Sequence, residues 1–303
     1  MNELNQEDNT DQEIDNTLEF LNTGNINGAE KVYDKILHST DKDLRTEILY
    51  KIALFTAQHF PLDFSEKYWK KIIKLYDSND EQGSKALMIH NMATMWASRG
   101  DIDKSKELWN RSIIIKEKLK DSIGIAASLN NLAWVAKQQN NQELEKTLHL
   151  RSVKLLVENS MWEEIIHILN RLAELDLSKS NFYLCQSLYI ASHISIDPKT
   201  VFFIVSSLVK NLGFENQYSP VIASAGIILT NSENDNKEVH KISKEVIIAC
   251  AISRKIKEHN ISEWISQQKL NDGEFVLSSL AEALDKIIGS ERWLFDKNNL
   301  KNN

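Results

Sequence analysis

Glycine and proline are scarce in this chain, at 9 and 3 of 303 residues. A β-rich or turn-rich fold needs those breakers, so their shortage points to helix. Cysteine is almost missing: Cys185 and Cys250 stand far apart without a CxxC partner. That excludes a disulfide scaffold and a cysteine-based zinc site, and it is what a reducing compartment leads one to expect. Long apolar runs are missing too. Val201–Val205 and Val221–Leu229, among the longest, fall far short of the roughly 20 residues a bilayer demands. The N-terminus is acidic where a signal peptide carries positive charge before an apolar core, so none is expected. Nor is there a basic excess. The net charge is -7, and residues 1–30 hold eight acids without a Lys or Arg, leaving the remainder near neutral. Nucleic-acid binding, which depends on a concentrated cationic surface, is therefore not expected. Residues 1–12 read as a solvated acidic tail. A cytoplasmic protein with no membrane association is expected.

What the chain does contain is 42% apolar and 26% charged residues, distributed with a period of 40. From Ala53, steps of 40 reach Ala93, Ala133, Ala173 and Gly213, all small. The preceding residue is apolar each time: Ile52, Met92, Leu132, Leu172 and Leu212. Seven positions after each marker comes a turn signal, as at Phe60-Pro61, Gly100-Asp101 and Asn140-Asn141. Sixteen after it stand Trp69, Trp109, His149, Tyr189 and Leu229; twelve after it stand Ser65, Ser105, Cys185 and Ala225, with Glu145 departing. The unit this implies is helix, short turn, helix, polar turn. The small residue admits the second helix and the bulky one fills the space between units, so stacked pairs share one core.

These residues resemble the tetratricopeptide repeat, whose pattern of Leu, then Gly or Ala, a small residue twelve on and an aromatic sixteen on is similar to Met92-Ala93 with Ser105 and Trp109. The segment IIIKEKLKDSIGIAASLNNLA (113–133) is similar to the longer, kinesin-light-chain-like repeats. The family's period is about 34 residues against 40 here. The resemblance implies an all-α, right-handed solenoid over 13–231, about six helical hairpins of which the first is degenerate: Gly24-Asn25, Ala29 and Tyr33 copy a turn and second helix. After Asn231 the rhythm stops. A polar link, Ser232–Asn236, precedes helices over Lys237–Lys257, Ile261–Gln268 and Glu274–Ile288, then Trp293-Leu294-Phe295. Residues 232–303 are read as a terminal cap, or as a docking or homodimerisation surface.

Catalytic and metal motifs are absent: no HExxH, GxGxxG, P-loop, GxSxG or calcium loop, and eight dispersed histidines. No cofactor or metal is expected. In the resembled family the first helix of each pair lines a concave groove. Two residues before the markers lie Lys51, Asn91, Asn131, Arg171 and Asn211; three before lie Tyr50, His90, Asn130, Asn170 and Lys210; one after lie Leu54, Thr94, Trp134, Glu174 and Phe214. Asn amides can pair with both polar groups of an extended peptide backbone, Arg171 and the lysines with carboxylates, and Trp134 and Phe214 can form apolar pockets. The alternative is that these amides serve neighbouring helices. The leading expectation is a non-enzymatic module that holds a peptide segment or partner protein. Others are a peptide-sensing regulator, similar to helical-repeat receptors of bacteria, and an enzyme or an accessory subunit of one, with His240, Glu245, Arg254, His259 and Glu263 of the C-terminal region as candidate groups that form no recognisable constellation.

Overall fold

The computed structural model of the chain describes residues 12, 13, 15–36, 42–78, 81–230 and 237–300. The acidic tail up to residue 11, the polar link at 232–236 and the side chains of Val239, His240 and Ile242 lie outside the described residues. Among the described residues the fold is all-α, without strands. A helical stretch over 15–22 leads to α1 (Ile26–Ile36), α2 (Lys42–His59), α3 (Leu62–Ser78), α4 (Gln82–Ser98), α5 (Ile102–Leu119), α6 (Ser122–Gln138) and α7 (Gln142–Glu158). There follow α8 (Trp162–Leu175), α9 (Ser180–Ala191), α10 (Pro198–Leu212), α11 (Ser219–Leu229), α12 (Lys237–Ser253), α13 (Ile261–Gln267) and α14 (Gly273–Ile288). No helix among the described residues is long and apolar enough to cross a membrane.

The period of 40 resolves into two halves of 20, because α2 to α8 begin at residues 42, 62, 82, 102, 122, 142 and 162. A repeated turn sets this spacing. Gly100, Lys120, Asn140 and Ser160 all adopt left-handed backbone, with φ of 90°, 57°, 54° and 55°. The next residue each time donates its N–H across the turn: Asp101 to Trp96, Asp121 to Lys116, Asn141 to Ala136 and Met161 to Leu156, at 2.9–3.1 Å. At three of these turns the same residue then caps the following helix, as Asp101, Asp121 and Asn141 accept from the backbone N–H of Lys104, Gly124 and Leu144 at 3.0, 2.8 and 3.1 Å. One polar residue thus closes a helix with its N–H and opens the next with its side chain. Gly24-Asn25 builds the same turn, with Asn25 bonded to Phe20 and accepting from Gly28.

The chain divides into two compact units, Met1–Leu148 and His149–Asn303. In the first, helices pack in chain order from α1 to α6, and α4 also meets α6. Each helix buries its apolar stripe on its sequence neighbours, which is the logic of helical repeats. Ala53, Ala93 and Ala133 are fully buried, and Trp69 and Trp109 fill the spaces beside them. Ser65, twelve after the first marker, donates to the carbonyl of that marker, Ala53, at 2.7 Å. Arg99 reaches back to the carbonyls of Ala57 and Gln58 at 2.7 and 3.3 Å, satisfying acceptors that the end of α2 leaves open.

In the second unit α8 to α12 again pack in order, with Ala173, Cys185 and Tyr189 buried. Here the repeat slips. Pro198 stands in the first turn of α10 and Asp197 caps it, accepting from Thr200 N–H at 3.2 Å, so α10 starts four residues before a 40-residue step from Trp162 would place it. Gly213 is consequently not the small packing residue expected of it. It closes α10 with φ of 84° and has open space where a side chain would stand, while Val209 takes the buried place. α14 packs on both α9 and α11. The chain after it returns to the first hairpin of the unit: Phe295 lies 5.5 Å from Trp162 and Trp293 lies 5.0 Å from Tyr189, centroid to centroid. Leu294 N–H donates to the fully buried Gln186 at 2.7 Å, and Lys297 pairs with Asp285 at 2.7 Å. The aromatic rings near the C-terminus therefore pack within their own unit, and Leu294 remains exposed.

Candidate functional site

The marker-bearing helices of the first unit, α2, α4 and α6, carry the polar positions singled out in the sequence. Lys51, Asn91, Asn130 and Asn131 are half-buried, whereas Leu54 and Trp134 are exposed, at 40% and 43%. Tyr50 and His90, at equivalent places, lean on the tryptophan of their own hairpin: Tyr50 on Trp69 at 5.5 Å and His90 on Trp109 at 6.4 Å. Lys51 lies 3.7 Å from Glu47 one turn earlier. The Oδ1 of Asn130 is buried without a hydrogen-bond partner among the described residues.

Asn131 and His90 meet in a buried network. Lys116, only 4% exposed, donates to the Gly124 carbonyl at 3.0 Å and to Ser128 Oγ at 3.2 Å. Ser128 donates to the same carbonyl at 3.1 Å, so its hydroxyl proton is committed and its oxygen can only accept from the His90 Nδ1, 2.9 Å away. That assigns the His90 proton to Nδ1 and leaves Nε2 as acceptor for Asn131 Nδ2, 3.2 Å away. Each assignment forces the next, and His90 is neutral. Burial, with the Lys116 charge adding to it, pushes the His90 pKa down to about 4, and burial lowers Lys116 as well. The Asn131 amide is thereby oriented: one N–H points to His90, leaving its carbonyl oxygen and second N–H for other partners.

In the second unit Asn170 is buried, its Oδ1 without a partner among the described residues, and Arg171 pairs with Glu174 at 2.8 Å. Lys210 is exposed. Asn211 donates to Ser180 at 3.0 Å, and Phe214, 44% exposed, lies beyond the end of α10. The four-residue slip removes Lys210, Asn211 and Phe214 from the repeated positions, and Ser207 takes the place assigned to Asn211. The Phe214 carbonyl accepts from Arg254 at 2.5 Å and that of Cys250 at 2.7 Å. Arg254 thus anchors a turn, as Arg99 does in the first unit.

Sequence reasoning missed Lys116 and Ser128. The signal was present: Lys116 follows Trp109 by seven and Ile113 by three, on the buried stripe of α5. Among the described residues no group of three or more His, Cys, Asp or Glu is placed to hold a metal ion. Both cysteines are buried, and burial pushes their thiols up, away from reactive thiolate. No family model matches the chain, and no curated protein matches it.

Proposed function

We propose that the chain is a non-enzymatic interaction module of tetratricopeptide-like, right-handed design, holding an extended peptide segment of a partner protein on the face formed by α2, α4 and α6. The observation that carries this reading is the oriented Asn131 amide. His90 fixes it in one rotamer, so a partner's backbone meets a preset acceptor and donor and little side-chain freedom is lost on binding. Asn91 repeats the position one hairpin earlier, and exposed apolar surface is supplied by Leu54, three residues after Lys51, and by Trp134, three residues after Asn131. In this reading Lys51 meets a carboxylate, and the free, buried cysteines suit a reducing, cytoplasmic setting.

A displayed library of linear peptides selected on the whole protein tests the proposal. Selected peptides are expected to lose about 1–3 kcal/mol of affinity against Asn131→Ala, the value of a hydrogen bond left unpaired on binding, and a similar amount against Asn91→Ala. Affinities unchanged in both variants, with folding intact, would remove this face from consideration.

A further inference from the structure

The second unit contains a cleft of about 370 Å³ between α11, α12 and the chain around α13, within the roughly 300–1,000 Å³ range of small-molecule sites. Five isoleucines, among them Ile247 and Ile248, and Leu270 form its walls. Ile247 and Leu270 belong to a buried cluster with Ala223, so the floor is fixed by packing. Three polar residues interrupt the hydrocarbon: Ser224, Lys244 and the exposed Asn271. Ser224, 1% exposed, lines the cleft with a hydroxyl that has no hydrogen-bond partner among the described residues. Lys244 is the one charged side chain among the described lining residues, and it is exposed. A buried hydroxyl without a partner is costly unless a ligand oxygen accepts from it, and a single cation without an acid in the lining selects a single negative charge.

We infer that this cleft is a binding site for a medium-chain aliphatic monocarboxylate, its hydrocarbon against the isoleucines and its carboxylate accepting from Lys244 and Ser224. The inference is independent of the peptide face on the first unit. Calorimetric titration of the full chain with hexanoate, octanoate and decanoate, each below its micellar concentration, is the test. Affinity is expected to tighten about fourfold per added methylene until the cleft is filled, from the transfer of each CH₂ out of water. Lys244→Glu should weaken decanoate at least tenfold, and so should Ile248→Asp, a change at a position already 41% exposed and therefore compatible with folding. Decyltrimethylammonium, with the same tail and the opposite charge, should bind at least tenfold more weakly. The inference is overturned if decanoate fails to bind at millimolar concentration, if both variants bind it as the unaltered protein does, or if the cationic surfactant binds equally well. Cosedimentation with anionic phospholipid vesicles in place of binding to monomeric decanoate overturns it as well.

Discussion

The network around His90 makes stability depend on pH in a way that can be worked out from its geometry. His90 is held neutral, with a pKa moved from the ordinary 6.5 to about 4, because burial disfavours the charged ring and the nearby Lys116 charge adds to that. A base whose pKa is lower folded than unfolded binds its proton more readily once the chain unfolds. Its contribution is therefore complete above about pH 6.5 and is lost as pH falls from 6.5 toward about 4. At 1.36 kcal/mol per pH unit the gap corresponds to about 3 kcal/mol; water at the partly exposed ring edge reduces the expected loss to about 2 kcal/mol. Urea unfolding followed by circular dichroism, at about pH 7.5 and about pH 4.5, measures it. The comparison that isolates His90 is His90→Gln, whose amide can still serve Ser128 and Asn131 but does not titrate. The unaltered protein should lose about 2 kcal/mol more than the variant between the two pH values. Parallel losses would mean that His90 is not a buried neutral ring, and the proton assignments through Ser128 to Asn131 would fall with it.

Packing predictions follow from the same helices. Trp109→Ala, at a buried position between hairpins, should cost about 3–5 kcal/mol of unfolding free energy, and Ala133→Phe about 1–3 kcal/mol or more through overpacking; silent melts in both would contradict the repeat alignment. Lys120→Gly and Asn140→Gly should stabilise by up to about 1 kcal/mol, because left-handed backbone strains a side chain and glycine removes that strain at some cost in chain entropy. A loss of stability in both would show that these turns are not left-handed. Phe295→Ala should destabilise the second unit by about 3 kcal/mol or more, since its ring is enclosed by Trp162, Tyr189 and Trp293. Hydrogen exchange that speeds up in 162–191 while leaving 82–138 unchanged is the expected signature.

Much of the fold was legible because helical repeats write themselves at fixed spacing. Ala53, Ala93, Ala133 and Ala173 and the tryptophans at 69 and 109 are positions where packing leaves little choice of side chain, so composition betrays them. The half-period of 20 was harder to see. Its turns depend on backbone conformation at Lys120, Asn140 and Ser160, residues that are not glycine and give no compositional mark. The slip at α10 was signalled by Asp197-Pro198, a start signal stronger than the recurrence of a small residue at 213. The polar ladder was only partly legible, because a side chain's partner lies on another helix: Asn131 belongs with His90, 41 residues earlier, and Asn211 with Ser180, 31 earlier. The return of Trp293 and Phe295 onto the hairpin of Trp162 and Tyr189 is a contact of more than a hundred residues' separation, beyond any local pattern.

The most direct test of the binding account is hydrogen–deuterium exchange on the full chain with and without a peptide selected on it. The account predicts new protection concentrated in 47–54, 87–94 and 127–134, the stretches of α2, α4 and α6 that carry Lys51, Asn91 and Asn131. Protection confined to α3 and α5, or to the second unit, would place the partner elsewhere and contradict it.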